Sequence, residues 1–274
     1  MTNINRDMGE AFGFHRLGDD EALMPPITIT NVAGGFHASD FNHMRETVRL
    51  AKRHGVTIGA HPSLPDLQGF GRREMKIARE EMANCIIYEI DALEGFLDAE
   101  GTALNHIKPH GSLYGMAARQ PHIAHAVCNA ADIFKVPLLG MIGMIGTLHE
   151  TIYAERGHSL MFEFYADLDR DDNRGLIVTR RPEAKDAQIA AARCLAAVRE
   201  GMAPTTGGNT IRVRADSRPR TWCSSGSRPR PAEAAGRSGA RTGAGWPSVI
   251  LRWLRVATLN ATGDPPRTNA SHAP

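Results

Sequence analysis

The first 216 residues of this 274-residue chain predict an α/β fold, a parallel sheet closed into a (β/α) barrel with helices outside it. Three observations carry the prediction. Short β-rich runs alternate with longer stretches whose apolar residues recur at helical spacing. Several of those runs end in ionisable residues, and a (β/α) barrel builds its site at the C-terminal ends of its strands. An open doubly wound sheet would gather its ligand at one switch point, so four or more contributing strands favour the barrel.

Taken in order, residues 27–32 are a β-rich run leading through Gly34-Gly35 to a helix over 40–54, with Ser39 or Asp40 as its cap and Gly55 as its stop. Residues 56–60 form the next strand. A long Gly/Pro loop then precedes a helix over 79–100, in which Met82, Ile86, Ile90, Leu93 and Leu97 share a face. Strands follow at 103–108, 136–140, 159–165, 176–179 and 210–214, and helices at 120–131, 147–156 and 186–200. The segment Asn5-Arg6-Asp7-Met8-Gly9-Glu10 reads as an N-terminal turn or as part of a site.

With 42% hydrophobic and 23% charged residues, the composition is that of an ordinary globular protein. No apolar run approaches the roughly 18 residues that cross a bilayer, and no basic-then-apolar secretory pattern opens the chain. Cys85, Cys128, Cys194 and Cys223 lack metal-type spacing and read as thiols of a reducing cytoplasm. The net charge of +2 hides a split: residues 1–216 carry 23 basic against 28 acidic groups, and residues 217–274 carry 9 against 2. All three tryptophans, Trp222, Trp246 and Trp253, lie in that second part.

Five segments carry candidate chemistry. Asp7 and Glu10 are spaced to share a ligand or divide acid and base roles. Asn31 opens the second segment, where the paired glycines permit a tight loop that turns His37 inward, while Asp40 reads as a helix cap. The third runs from His61-Pro62 through Asp66 to Arg72-Arg73, too long for a plain connector. Its arginines either clamp a carboxylate or phosphate or form a solvated basic pair. In the fourth, strand alternation puts His106 and Lys108 on one side, followed by His110, and burial beside other cations would lower the lysine pKa. In the fifth, Glu163 sits among aromatics on an apolar strand, which implies a polar cavity or a cationic partner. Asp7, His37, His61 and His110 could converge on a divalent metal, although no spacing motif requires one. Neither a GxxxxGK[ST] nor a GxGxxG phosphate loop occurs, so any ATP binds elsewhere.

In this order and spacing, the segments NVAGGFHASD, GAHPSLPDLQGFGRR, HIKPHGSLY and FEFYAD resemble the LamB/YcsF family. The resemblance implies a barrel of about seven strands similar to polysaccharide deacetylases. It also implies a subunit that works with two partner subunits to open 5-oxoproline to glutamate at the expense of ATP, the nucleotide being bound with or by those partners. By matching position, Asp7, Glu10, His37, His61, Lys108, His110 and Glu163 become the site, with His61 or His110 as base, Lys108 against oxyanion charge and Arg72 or Arg73 on the substrate carboxylate. The departures are Asn3 for the opening Asp, Arg6 and Gly34 for two family cysteines, Gly115 after the Tyr114 segment, and Leu168. A stand-alone metal-dependent deacetylase-like hydrolase and a non-catalytic remnant are the other readings.

After Ser217 the family pattern gives way to Arg218-Pro219-Arg220-Thr221-Trp222-Cys223. Codons CGT-CCG-CGT-ACA-TGG-TGC would encode that run, and one base later they read Val-Arg-Val-His-Gly, against the Val-Cys-Val-His-Gly-Asp that the family pattern expects. The expectation is therefore a single-base frameshift near Ser217, a barrel domain over 1–216 lacking its last strand and helix, and a disordered tail over 217–274. The tail lacks the clustered basic face of a nucleic-acid-binding arm.

Overall fold

The computed structural model describes residues 3–141, 148–173, 175–177, 186–213 and 222–224. The chain opens with β1 (Asn3–Met8), a short α1 (Asp20–Leu23), β2 (Ile29–Ala33) and α2 (Phe41–His54). It continues through β3 (Thr57–His61), the long α3 (Arg79–Glu100), β4 (Leu104–Ile107), α4 (Gly111–Arg119) and α5 (Pro121–Phe134). Then come β5 (Leu138–Met141), α6 (Leu148–Glu155) and β6 (Leu160–Tyr165). An excursion outside the barrel holds β7 (Asp169–Arg170), β8 (Leu176–Ile177), α7 (Ala187–Glu200), β9 (Met202–Pro204) and β10 (Thr210–Arg212), before β11 (Trp222–Ser224). The barrel is closed, in the order β1-β11-β6-β5-β4-β3-β2, and every pair in it is parallel.

Local chemistry sets the helix limits. The Asp40 carboxylate accepts the amides of Asn42 (2.8 Å) and His43 (3.1 Å), starting α2, and Gly55 ends it in the left-handed region at φ 66°. Met82, Ile86, Ile90, Leu93 and Leu97 of α3 are all buried, as their spacing predicts. They join Val48 of α2, Ile58 and Ile107 of the strands and the alanine-rich face of α5 in one core between barrel and helices. Each such large aliphatic side chain contributes roughly 1.5–3 kcal/mol by leaving water.

Four expectations need correction. Residues 3–8 form a barrel strand, not a turn. The strand expected at 210–214 pairs antiparallel with β9, outside the barrel, and Arg214 lies outside the described residues. The last barrel strand is not missing: Trp222–Ser224 pairs with Asn3–Asn5 on one side and Glu163–Tyr165 on the other. Ladder hydrogen bonds join backbone groups, so a three-residue strand closes a barrel whatever its side chains. The rest of the expected tail, 217–221 and 225–274, lies outside the described residues, as do 178–179 of the strand expected at 176–179. Cys85 and Cys128 are free thiols, whereas Cys194 is disulfide-bonded, against the expectation of thiols throughout. Among the described residues no helix is long and apolar enough to cross a membrane.

Candidate functional site

Parallel register places the inward residues of successive strands at common levels. Asp7 pairs with Asn31, Asn31 with Gly59, and Ala33 with His61. Because side chains alternate, Asn5 and Asp7 of β1, Asn31 of β2, Gly59 and His61 of β3, His106 and then Lys108 from β4, and Glu163 and Tyr165 of β6 share the barrel interior. The loops after β2 and β4 add His37 and His110. A side chain on Gly59 would put its Cβ 2.1 Å from His106 Nε2, so the glycine makes room for that ring.

The deeper layer is a hydrogen-bonded polar net. The Asn31 side chain donates from Nδ2 to Asp7 Oδ1 (2.8 Å) and Asn5 Oδ1 (3.1 Å), and its Oδ1 lies 2.6 Å from His106 Nε2. Burial, with Lys108 and His61 nearby, lowers the His106 pKa to about 3, so the ring is neutral and donates from Nε2. Lys108, 2% exposed, donates to Asp7 Oδ1 at 2.9 Å and pairs with Glu163 Oε2 at 3.2 Å. Tyr165 donates its hydroxyl to the other Glu163 oxygen at 2.5 Å, and its ring lies 5.4 Å from the ammonium. Burial by itself would lower the Lys108 pKa, but Asp7 and Glu163 outweigh it and hold the ammonium well above the lysine range. The expected lowering is thus corrected, because two carboxylates face this lysine. Burial likewise works against the Asp7 charge, yet His61 and Lys108 hold its carboxyl well below the usual range.

Above this layer lies a histidine cluster. His61 Nδ1 is 2.6 Å from the Lys108 carbonyl and His110 Nε2 is 2.9 Å from the Phe70 carbonyl. A ring nitrogen that faces a carbonyl oxygen carries a proton, which leaves the second nitrogens, His61 Nε2 and His110 Nδ1, turned toward the cluster. Those two atoms are 2.9 Å apart. His61 Nε2 is also 3.4 Å from Asp7 Oδ2, so a shared proton or a cation between the rings would sit beside a carboxylate. His37 stacks on His110 with centroids 3.7 Å apart and planes within 6°. Neither ring nitrogen of His37 has a hydrogen-bond partner among the described residues, and its Nε2 is 3.7 Å from Glu10 Oε1. Burial lowers the His37 pKa, and burial together with His37 and His61 holds that of His110 well below the histidine range. Ligand atoms of Glu10, His37, His61 and His110 all lie within 4.8 Å of one another. Two imidazoles anchored through one ring nitrogen, a third stacked on one of them and a carboxylate beside them fit a divalent cation of the zinc or manganese kind. Two non-glycine residues with positive φ, Ser39 (79°) and Phe70 (56°), lie in the loops that build this cluster.

The structure thus brings together Asp7, Glu10, Asn31, His37, His61, Lys108, His110 and Glu163. The carboxylate whose ligand atom groups with all three histidines is Glu10; Asp7, which the metal expectation named, gives Oδ1 to Lys108 and Asn31 and keeps Oδ2 3.4 Å from His61 Nε2. Arg72 and Arg73 are not brought in. Arg73 is 60% exposed and paired with Asp66 of its own loop, and Arg72, also exposed, lies over the Phe70 ring at 5.6 Å. Sequence reasoning misses Asn5, Tyr165 and Glu89; the last is buried in α3 and bonded to the loops after β2 and β3. A polar side chain two places from Asp7, on the same side of a strand, is the available signal for Asn5.

A model of the LamB/YcsF family matches residues 2–233. The lactam utilization protein lamB of Emericella nidulans is 47% identical over 184 residues, 67% of this chain and 71% of that protein. A 5-oxoprolinase subunit from Thermococcus onnurineus is 40% identical over 236 residues, 85% of this chain and 91% of that protein. Among solved structures, the lactam utilization protein of Thermus thermophilus superposes with a TM-score of 0.77 at 34% identity, covering 95% of this chain and 97% of that one.

Proposed function

The chain belongs to the LamB/YcsF family, and from that premise we propose that it is a subunit of 5-oxoprolinase that opens the lactam ring of 5-oxoproline to glutamate. The observation that carries the reading is the buried contact of Lys108 with Asp7 and Glu163 directly beneath three inward histidines, in a chain whose relatives bear that name. Ring opening adds water to the lactam carbonyl carbon, breaks its bond to the ring nitrogen and delivers a proton to that nitrogen. The ATP dependence of the reaction is assigned to two partner subunits, because this chain has no phosphate-cradling glycine loop.

In this scheme Asp7, kept ionised by His61 and Lys108, orients the attacking water and accepts its proton. Lys108 directs two of its three N–H donors at Asp7 and Glu163 and so fixes both carboxylates. Glu163 and Tyr165 complete the polar wall. Asp7 is a weak base, and a divalent cation held by Glu10, His37, His61 and His110 would supply what it lacks, acidifying water and polarising the carbonyl.

The test is 5-oxoproline-dependent ATP hydrolysis and glutamate formation by this chain mixed with its two partner subunits. Turnover should require the chain and fall roughly 100-fold or more in Asp7→Asn. Partner subunits that turn over 5-oxoproline equally well without the chain would remove the reading.

A further inference from the structure

Glu89 stands in the apolar stripe of α3, between Ile86 and Leu93, and is 1% exposed. A carboxyl buried there is costly unless its oxygens are satisfied. They are satisfied by two different loops: Oε1 accepts the Phe36 amide at 3.2 Å and Oε2 accepts the Ser63 amide at 2.6 Å. Phe36 immediately precedes His37, and Ser63 follows His61-Pro62. One side chain from outside the barrel therefore holds both segments whose histidine rings meet edge to face at 5.4 Å. The room it occupies is left by residue 34. A Cβ on Gly34 would lie 2.6 Å from both Cβ and Oε1 of Glu89, a separation that real Cβ atoms essentially never show. Glycine at 34 is thus what leaves space for the Glu89 side chain. Burial pushes the Glu89 carboxyl well above the usual range, with the two amides acting against it.

We propose that Glu89 is a positioning residue, a two-loop clamp seated in the space left by Gly34, which sets the spacing of His37 and His61. Its consequence for turnover rests on the function proposed above; the clamp itself does not, since it can be read without substrate.

Amide-resolved hydrogen exchange on the full chain tests it. In Glu89→Ala, Phe36 and Ser63 should exchange at least about tenfold faster while the amides of α5 keep their protection. Glu89→Gln retains one acceptor and turns an amino group toward the other loop, so one of the two amides should lose protection and the other keep it. Gly34→Ala should release both, and Gly34→Ala/Glu89→Ala should be no worse than Glu89→Ala alone, because the two changes remove one interaction. With the partner subunits present, kcat should fall roughly 100-fold in Glu89→Ala while KM stays within about twofold, as expected for misplaced catalytic groups. Unchanged exchange at both amides in Glu89→Gln, or additive losses in the double variant, overturns the clamp. If Glu89→Ala does not fold, Glu89→Gln and Gly34→Ala decide. An intact exchange signature in a chain that never turns over 5-oxoproline overturns the functional reading and leaves the clamp standing.

Discussion

Replacing Lys108 by methionine keeps the length of the side chain and deletes its charge. The lysine is 2% exposed and Glu163 0%, while Asp7, 2.9 Å from the ammonium, is 28% exposed. Removing one member of a buried ion pair leaves its partners charged and uncompensated, at about 3–5 kcal/mol. For a domain of this size that is a fall in Tm of roughly 6–20 °C. The pH dependence has a defined sign. Lys108 is held above its ordinary 10.5, so its contribution is full below that pH and is lost as pH rises through the folded value. Asp7 is held below its ordinary 3.8, so its contribution is present above that pH and is lost as pH falls through the folded value. The wild-type advantage over Lys108→Met should thus be largest on the plateau between those limits. It should narrow toward acid as the stranded carboxylates are neutralised. Thermal denaturation followed by circular dichroism from pH 3 to 9 measures both features. A Tm within about 2 °C of wild type at neutral pH, with parallel pH profiles, would refute the assignment of Lys108 as the electrostatic centre of the barrel.

Three further outcomes are expected. The chain should bind one zinc or manganese ion in a chelator-competition assay, about tenfold or more weakly after His37→Ala or His110→Ala. Because both rings are held below 6.5, affinity should stay level from pH 8 down to that value and decline only in more acid solution; full 5-oxoproline turnover after exhaustive chelation would sink the metal role. Arg73→Ala should leave KM for 5-oxoproline within about twofold and cost under about 1 kcal/mol, since its exposed ion pair with Asp66 is local; a tenfold rise in KM would restore it to the substrate. The gene should carry a single-base change near codon 217, and a chain with the frame restored should have the higher Tm; an uninterrupted frame in a close isolate would exclude the frameshift.

What the sequence reveals depends on whether local chemistry or partner choice decides a feature. The limits of α2 and α3 follow from Asp40, Gly55 and the apolar spacing of Met82 to Leu97, all local, and the structure agrees. Glu163 is legible because an acid among aromatics on a strand demands a partner, and Lys108 answers that demand. β1 is not legible, because its inward residues Asn5 and Asp7 are the polar ones; the alternation that normally marks a strand is inverted when the barrel interior is a polar site. α4 leaves little mark, because it begins at a glycine directly after the Lys108-Pro109-His110 motif. Arg73 shows the limit most sharply. Its charge suits a substrate carboxylate, yet Asp66 lies seven residues away in the same loop, and composition cannot rank a neighbour against a ligand.

Glu89 marks the boundary between the two kinds of information. Its position, three residues after Ile86 and four before Leu93, lies on the buried face by arithmetic alone. Glutamate is a good helix former usually met at the edge of such a stripe, so the period is plain and the exception within it is easily missed. An ionisable residue on the buried stripe of a helix, beside a loop with paired glycines, is a readable signal once both halves are taken together. Each half alone is ordinary. The spacing of the histidines thus rests on a residue outside the barrel, and substitutions confined to the histidines would leave that support unseen.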